Sequence, residues 1–446
     1  MAAGGSSSLG ALLWITRQSF SPSKLFISYY FEIITEPEGE HKGNGKININ
    51  QWRNQENSWA EVALAEYLFY YEMEELTVKK PEIRSCLDLL KPYVPGKPVE
   101  EVERELGLKN VIKMASNENP LGPSPKAVQA MRDQLERQHF YPDGNCFYLK
   151  EALAEKKKIQ PDQLIFGNGS DEILSFLTRA YINPGDEAVM VTPSFSEYEF
   201  VTRLMGGVPV HVPLVGEDFN YDFEAVLSAV NEKTRLVFIC SPNNPTGTIV
   251  MKKELDHFIE RLPEKVVLVL DQAYLEYVND SDHPGGLDYI EKGFPVIALR
   301  TFSKIYGLAG LRIGYGIAPA DLIQDLNRVR DPFNVNAMSQ SAALAALEDG
   351  EHLDQSRSLV VDGRKQLTEG LAEMGIKPVP DQANFCFLDL KVDSKEVFKA
   401  LLKRGVIVRT GDIFGFPTYI RVTYGTAEQN ERFLTALNEV IGELKQ

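Results

Sequence analysis

Lys304, Asp271, Asn244, Arg312 and Arg421 are the residues whose types and surroundings best suit chemistry on a small molecule. Lys304 lies in TFSKIYGLAGLRIGY (301–315), a run that otherwise reads as buried and that also holds Arg312. Burial and nearby cations lower a lysine's pKa, which makes its amine a nucleophile and a proton carrier. Asp271 directly follows VVLVL, where a carboxylate can partner a protonated ring nitrogen or merely cap the next segment. Asn244 belongs to SPNNPTG, a stretch of turn formers whose amide can also donate into a site. GNGSDE (167–172) reads as a strand-to-helix turn, offering backbone N–H groups and the positive end of a helix dipole to a phosphate. It lacks the third glycine of a dinucleotide fingerprint and the GK[ST] of a Walker motif. Each feature alone also has a plain structural reading, as a turn, a cap, a surface lysine or an ion-pairing arginine.

The elements that must position these residues are legible as short β-branched runs alternating with helical patterns. QLIFGNGS (163–170) gives a strand and turn, followed by helical spacing in DEILSFLTRAYI. AVMVT, VPVHV, RLVFIC, VVLVL, PVIALR and RIGYGIA read as further strands, several of them continuous apolar runs. Such runs suit a mainly parallel sheet covered on both faces. After about residue 330, long helical stretches precede NFCFLDL, VIVR and YIRVTY, which predict a smaller α+β domain. LKPYVPGKPVEEVERELGL (90–108) is expected to pack with it. Ligands of open α/β sheets bind beyond the carboxyl ends of the strands, and GNGS, Asn244, Asp271 and Lys304 all follow strand runs. That convergence predicts one site.

Composition bounds the partners. The chain has 446 residues, 43% hydrophobic and 25% charged, which suits a soluble globular protein of about two domains. A formal net charge of −16 argues against a nucleic-acid partner. The cysteines Cys86, Cys146, Cys240 and Cys386 form no CxxC, and the six histidines form no HExxH, so no metal is expected. No apolar run is long enough to span a membrane. A cytoplasmic protein is the simplest reading. Residues 2–31 are Ser-rich with Arg17, Lys24 and no acid, which makes organellar targeting the alternative. Residues 1–80 read as an N-terminal extension, disordered or partly helical, with one amphipathic helix possible in ENSWAEVALAEYLFYYEMEEL. The functional part is expected to begin near Met73, with an arm over 81–125, a large domain over 126–330 and a small one over 331–446.

A lysine, a strand-end aspartate and a helix-terminal phosphate site together meet the needs of pyridoxal phosphate. With LKPYVPGKP, SNENPLGPSP, YPDG, GNGSDE, PNNPTG, DQAYLEY, TFSKIYGLAGLRIGY and RVTYGT in this order, the chain resembles the fold-type I pyridoxal-phosphate aminotransferases. Among them it is most similar to the histidinol-phosphate aminotransferases. The resemblance covers residues from about 85 to the end. It implies an α/β fold with a large, mainly parallel-sheet cofactor domain sandwiched by helices and a smaller α+β domain. It implies that Lys304 carries the cofactor, that Asp271 binds the ring nitrogen, and that Asn244 and Tyr274 bond the ring hydroxyl. Phe195 would stack on the ring, while Gly169, Ser170, Asp171, Ser303 and Arg312 would hold the phosphate. Tyr141 would reach the phosphate of a partner subunit in a homodimer. Tyr93, Asn117, Arg409 and Arg421 would bind substrate, with Arg421 on the carboxylate of glutamate and Arg409 near a substrate phosphate. The implied substrates are histidinol phosphate and glutamate or 2-oxoglutarate, used in ping-pong order.

Two positions depart from the family pattern. Asn145-Cys146 stands where relatives often have Ser-Gly, and Gln272 stands where Glu is common. Other readings on the same scaffold are an aromatic amino-acid aminotransferase, a phosphoamino-acid lyase and a non-catalytic cofactor-binding regulator. The first would differ at Arg409, the second would release carbon dioxide, and the third would need a basic recognition helix that the N-terminal stretch does not offer.

Overall fold

A computed structural model of the chain describes residues 14–15, 29–30, 81–90 and 96–444. The chain divides into two units, Met1–Glu82 and Ile83–Gln446. In the first, Trp14–Ile15 pairs antiparallel with Tyr29–Tyr30. The helix expected in 56–76, the start near Met73 and Tyr93 lie outside the described residues.

The second unit is built on a seven-stranded sheet. Its strands are β1 (Leu164–Gly167), β2 (Glu187–Thr192), β3 (Val208–Pro213), β4 (Thr234–Cys240), β5 (Val267–Asp271), β6 (Val296–Thr301) and β7 (Gly314–Ile317). They lie in the order β1-β7-β6-β5-β4-β2-β3. Pairing is parallel except at β7, which runs antiparallel to both β1 and β6. The expected mainly parallel α/β sheet is present, and its strand runs lie where the apolar segments predict them.

The sheet has two covered faces because its central strands bury apolar side chains on both sides. Along β5, Leu268 and Leu270 join one hydrophobic core while Val267 and Val269 join another on the opposite face. Each leucine or valine so buried contributes about 1.5–3 kcal/mol relative to exposure. This rigid plate fixes the carboxyl ends of β1, β4, β5 and β6 along one edge. Antiparallel β7 adds its amino end to that edge, since Gly314 pairs with Gly167 of β1 and Thr301 of β6. The loop carrying Arg312 therefore opens beside the loops carrying Ser170 and Lys304.

A second, three-stranded antiparallel sheet has the order β8 (Phe385–Asp389), β10 (Tyr419–Thr423), β9 (Arg409–Thr410). Helix α1 (Val99–Leu106) packs against this part of the chain, burying Val102 with Val111, Ala115 and Ile407. Helices α3 (Ala337–Leu347) and α2 (Pro125–Gln134) pack on one another. Among the described residues, no helix is long and apolar enough to cross a membrane, and no His, Cys, Asp and Glu cluster could hold a metal.

Candidate active site

One cavity opens at the shared strand edge, and Lys304, Asp271, Asn244, Ser170, Arg312 and Arg421 all line it. Asp171, Phe195, Tyr274, Ser303, Asn117 and Arg409 complete the set of expected residues on its wall. Gly169, the residue before Ser170, and Tyr141 do not line the cavity.

At the phosphate-suited end, the chain turns at Gly169 with φ of +85° and enters a twelve-residue helix at Ser170. A side chain at Gly169 would bring its Cβ within 2.6 Å of Arg312 Nη2, so the close approach of that guanidinium needs glycine. Gly314 is equally constrained, because a Cβ there would meet Ser170 N at 2.5 Å. Arg312 itself adopts φ of +53°, a left-handed conformation costing on the order of 1 kcal/mol for a residue with a β-carbon. Three contacts offset that cost. Its Nη2 donates to Asp171 Oδ2 at 3.1 Å, and its Nη1 donates to Ala309 O at 3.2 Å and to Ser303 Oγ at 3.5 Å. A helix N-terminus, a serine hydroxyl and an arginine thus converge, the donor set that a phosphate monoester requires.

At the other end, Asp271 is the last residue of β5 and is buried. Its Oδ1 accepts from the Ala273 amide at 3.1 Å, as a capping aspartate would, and its Oδ2 accepts from the Tyr198 hydroxyl at 2.6 Å. Burial pushes the Asp271 carboxyl up, and the bond from Tyr198 pulls it back. Lys304 is partly accessible from the cavity, and its Nζ lies 3.3 Å from the Ser116 carbonyl and 5.5 Å from the centre of the Tyr274 ring. Burial of its amine, with Arg421 nearby, pulls its pKa down to about 8. Near neutral pH this amine is therefore far easier to deprotonate than an exposed lysine.

The side wall is a connected hydrogen-bond network. Asn117 Nδ2 donates to Tyr274 Oη at 2.9 Å, which leaves the tyrosine proton to donate elsewhere. Arg421 Nη1 donates to Asn244 Oδ1, which leaves the asparagine NH₂ as the donor for another acceptor. Arg421 Nη2 donates to the Ala115 carbonyl at 2.6 Å, and its guanidinium lies 5.3 Å from the Phe385 ring centre and 5.7 Å from that of Phe414. Ala115, Tyr198, Thr301 and Phe414 are site residues that sequence reasoning missed. Ala115 and Tyr198 have no local signal, because each acts through a contact with a residue distant in the chain, Arg421 and Asp271 respectively.

A buried carboxylate, an activated lysine and a phosphate-suited cradle in one cavity fit pyridoxal phosphate in the chemistry of their donors. Comparison with known proteins agrees with this arrangement. The sequence profile of aminotransferase class I and II matches residues 109–437. The chain belongs to this family. It is 55% identical to a histidinol-phosphate aminotransferase of Moorella thermoacetica over 369 residues, covering 82% of this chain and 95% of that protein. It is 51% identical to histidinol-phosphate aminotransferase 2 of Carboxydothermus hydrogenoformans over 360 residues, covering 80% of this chain and 99% of that protein. A crystal structure of histidinol-phosphate aminotransferase from Sinorhizobium meliloti, in complex with pyridoxal-5'-phosphate, superposes with a TM-score of 0.76 at 28% identity. That likeness covers 82% of this chain and 100% of the other. These aminotransferases align with the present chain through most of their length.

Proposed function

We propose that this aminotransferase binds pyridoxal phosphate and transfers the amino group between histidinol phosphate and 2-oxoglutarate, giving imidazole-acetol phosphate and glutamate. The observation that carries the proposal is the pairing of Lys304, with its lowered pKa, and two arginines, Arg409 and Arg421, on one cavity wall. The substrates bring two different anions, a carboxylate on glutamate and a phosphate on histidinol phosphate, and guanidinium groups suit both. The identity to histidinol-phosphate aminotransferases supports this choice over an aromatic amino-acid substrate.

Pyridoxal phosphate, when bound, supplies a carbonyl for the amine and an electron sink for the pair released at Cα. The protein's own residues do the rest. The helix N-terminus at Ser170, with Ser303 and Arg312, would bind the cofactor phosphate, and Asp271 would hold the ring nitrogen protonated. Asn244 and Tyr274 would donate to the ring hydroxyl, and Phe195 would lie against the ring. Lys304 Nζ would take the proton from substrate Cα and return it at the cofactor's C4′ carbon. Arg421 would orient the glutamate carboxylate, beside Asn117, and Arg409 the phosphate of the second substrate.

The working enzyme is proposed to be a cytoplasmic homodimer in which Tyr141 reaches the partner's site. Tyr141 is 83% exposed and stacks on Phe333, ring centres 4.9 Å apart, near exposed Phe140, Phe147 and Tyr148. Such an aromatic surface suits an interface. The test is spectroscopic. Purified protein with bound cofactor should show an absorbance band that converts with glutamate and, separately, with histidinol phosphate. A cofactor band that ignores histidinol phosphate while converting with phenylalanine would replace this substrate with an aromatic one.

A further inference from the structure

We infer that Tyr198 is a positioning residue for the cofactor-nitrogen carboxylate, setting both the charge and the orientation of Asp271. The inference rests on the proposal that this cavity binds pyridoxal phosphate.

Tyr198 lies in the helix Glu197–Leu204, three residues after Phe195, and is 1% exposed. Its ring stacks on Phe238 of β4 with centres 4.8 Å apart and planes at 9°. It meets Phe195 edge to face at 5.6 Å and 85°. Those two contacts fix the ring, so its hydroxyl has one direction in which to point. It donates to Asp271 Oδ2 at 2.6 Å, a short bond of the charge-assisted kind. The other carboxylate oxygen is held by the Ala273 amide. The two bonds together fix the plane of the carboxylate, and Asp271 lines the cavity in that orientation.

The chemical need is specific. A buried carboxylate tends to take up a proton, and a neutral acid cannot hold a pyridinium by charge. Around Asp271 the groups that act on its charge are Tyr198, the Ala273 amide, Asp171 and Lys304. Tyr198 is the side-chain donor among them, and a phenol donating to a carboxylate favours the ionised form. It does so without adding a second charge to compete with the ring nitrogen. Tyr198 also touches Phe195, so one buried phenol couples the residue expected under the ring to the residue expected at its nitrogen.

The test uses Tyr198→Phe, which keeps the ring and removes only the hydroxyl. The probe is pyridoxamine phosphate binding to apoprotein, measured by fluorescence, which reports the ring contacts without any bond to Lys304. Loss of one hydrogen bond to a charged group should weaken binding about tenfold. The 1-deaza analogue, in which a C–H replaces the ring nitrogen, should bind the variant within about twofold of the parent protein, because it has no nitrogen for Asp271 to hold. In an Asp271→Asn background, the Tyr198→Phe change should cost nothing further, since the carboxylate it serves is gone. Equal losses for both probes would reduce Tyr198 to a packing residue and overturn the inference. Unchanged binding of pyridoxamine phosphate would overturn it too. Failure of the parent protein to bind either probe would instead sink the cofactor proposal, and the inference with it.

Discussion

Arg421 donates from Nη1 to Asn244 Oδ1, joining the three-stranded sheet to the loop after β4 of the large one. The same guanidinium donates from Nη2 to Ala115 O, so its planar fork is oriented by two acceptors. A lysine has neither the fork nor the flat face that lies between Phe385 and Phe414. Arg421→Lys should therefore cut the glutamate half-reaction by about 100-fold in kcat/KM, the size of two charge-assisted contacts. Histidinol phosphate carries no carboxylate, and its half-reaction should fall much less. Single-turnover absorbance changes with each donor measure the two separately.

Arg409 provides the mirror experiment. It lines the cavity beside Gly96, where an added Cβ would lie 3.6 Å from Arg409 Nη1. Arg409→Ala should weaken the use of histidinol phosphate by about 10- to 100-fold, the loss of an arginine–phosphate contact. Glutamate half-turnover should stay within about threefold of the parent rate. Equal loss in both half-reactions would contradict a phosphate-binding role.

Lys304 gives a pH prediction with a definite sign. Its pKa of about 8 lies below the ordinary lysine value of 10.5, so the neutral amine grows as pH rises through 8. The rate at which apoprotein captures pyridoxal phosphate covalently should rise between pH 6.5 and 9, by roughly tenfold per unit below the midpoint. Stopped-flow absorbance reads this directly, and a midpoint near 10 would mean that the amine is not desolvated. Lys304→Ala should still bind cofactor non-covalently while losing about a thousandfold or more of transamination.

Gln272 and Arg300 predict a gain in stability. Gln272, the residue after β5, donates from N to Leu299 O, so it stands beside Arg300 of β6. Both are buried. Among the described residues, Gln272 Oε1 and the Nε and Nη1 of Arg300 have no hydrogen-bond partner. Gln272→Glu forfeits the bond from Nε2 to Pro284 O but offers a carboxylate to an enclosed guanidinium. The melting temperature at pH 7 should rise by about 2–6 °C, the effect of one to two kcal/mol in a large domain. The gain should vanish in acid, where the new carboxyl is protonated. Calorimetry at two pH values checks both statements.

What the sequence by itself determined is local. Continuous apolar runs such as VVLVL suit strands covered on both faces, and the turn-forming GNGS and SPNNPTG suit their ends. Polar residues placed just after such runs fall at one edge of a parallel sheet, which is why Lys304, Asp271, Asn244 and Ser170 were legible as a group. Tertiary structure decided everything that depends on register between strands. The antiparallel direction of β7 brings Arg312 to that edge. The bonds from Tyr198 to Asp271 and from Arg421 to Asn244 span 73 and 177 residues of chain. No periodicity encodes such contacts, because each arises only when two independently folded stretches meet at a distance set by sheet twist and side-chain packing.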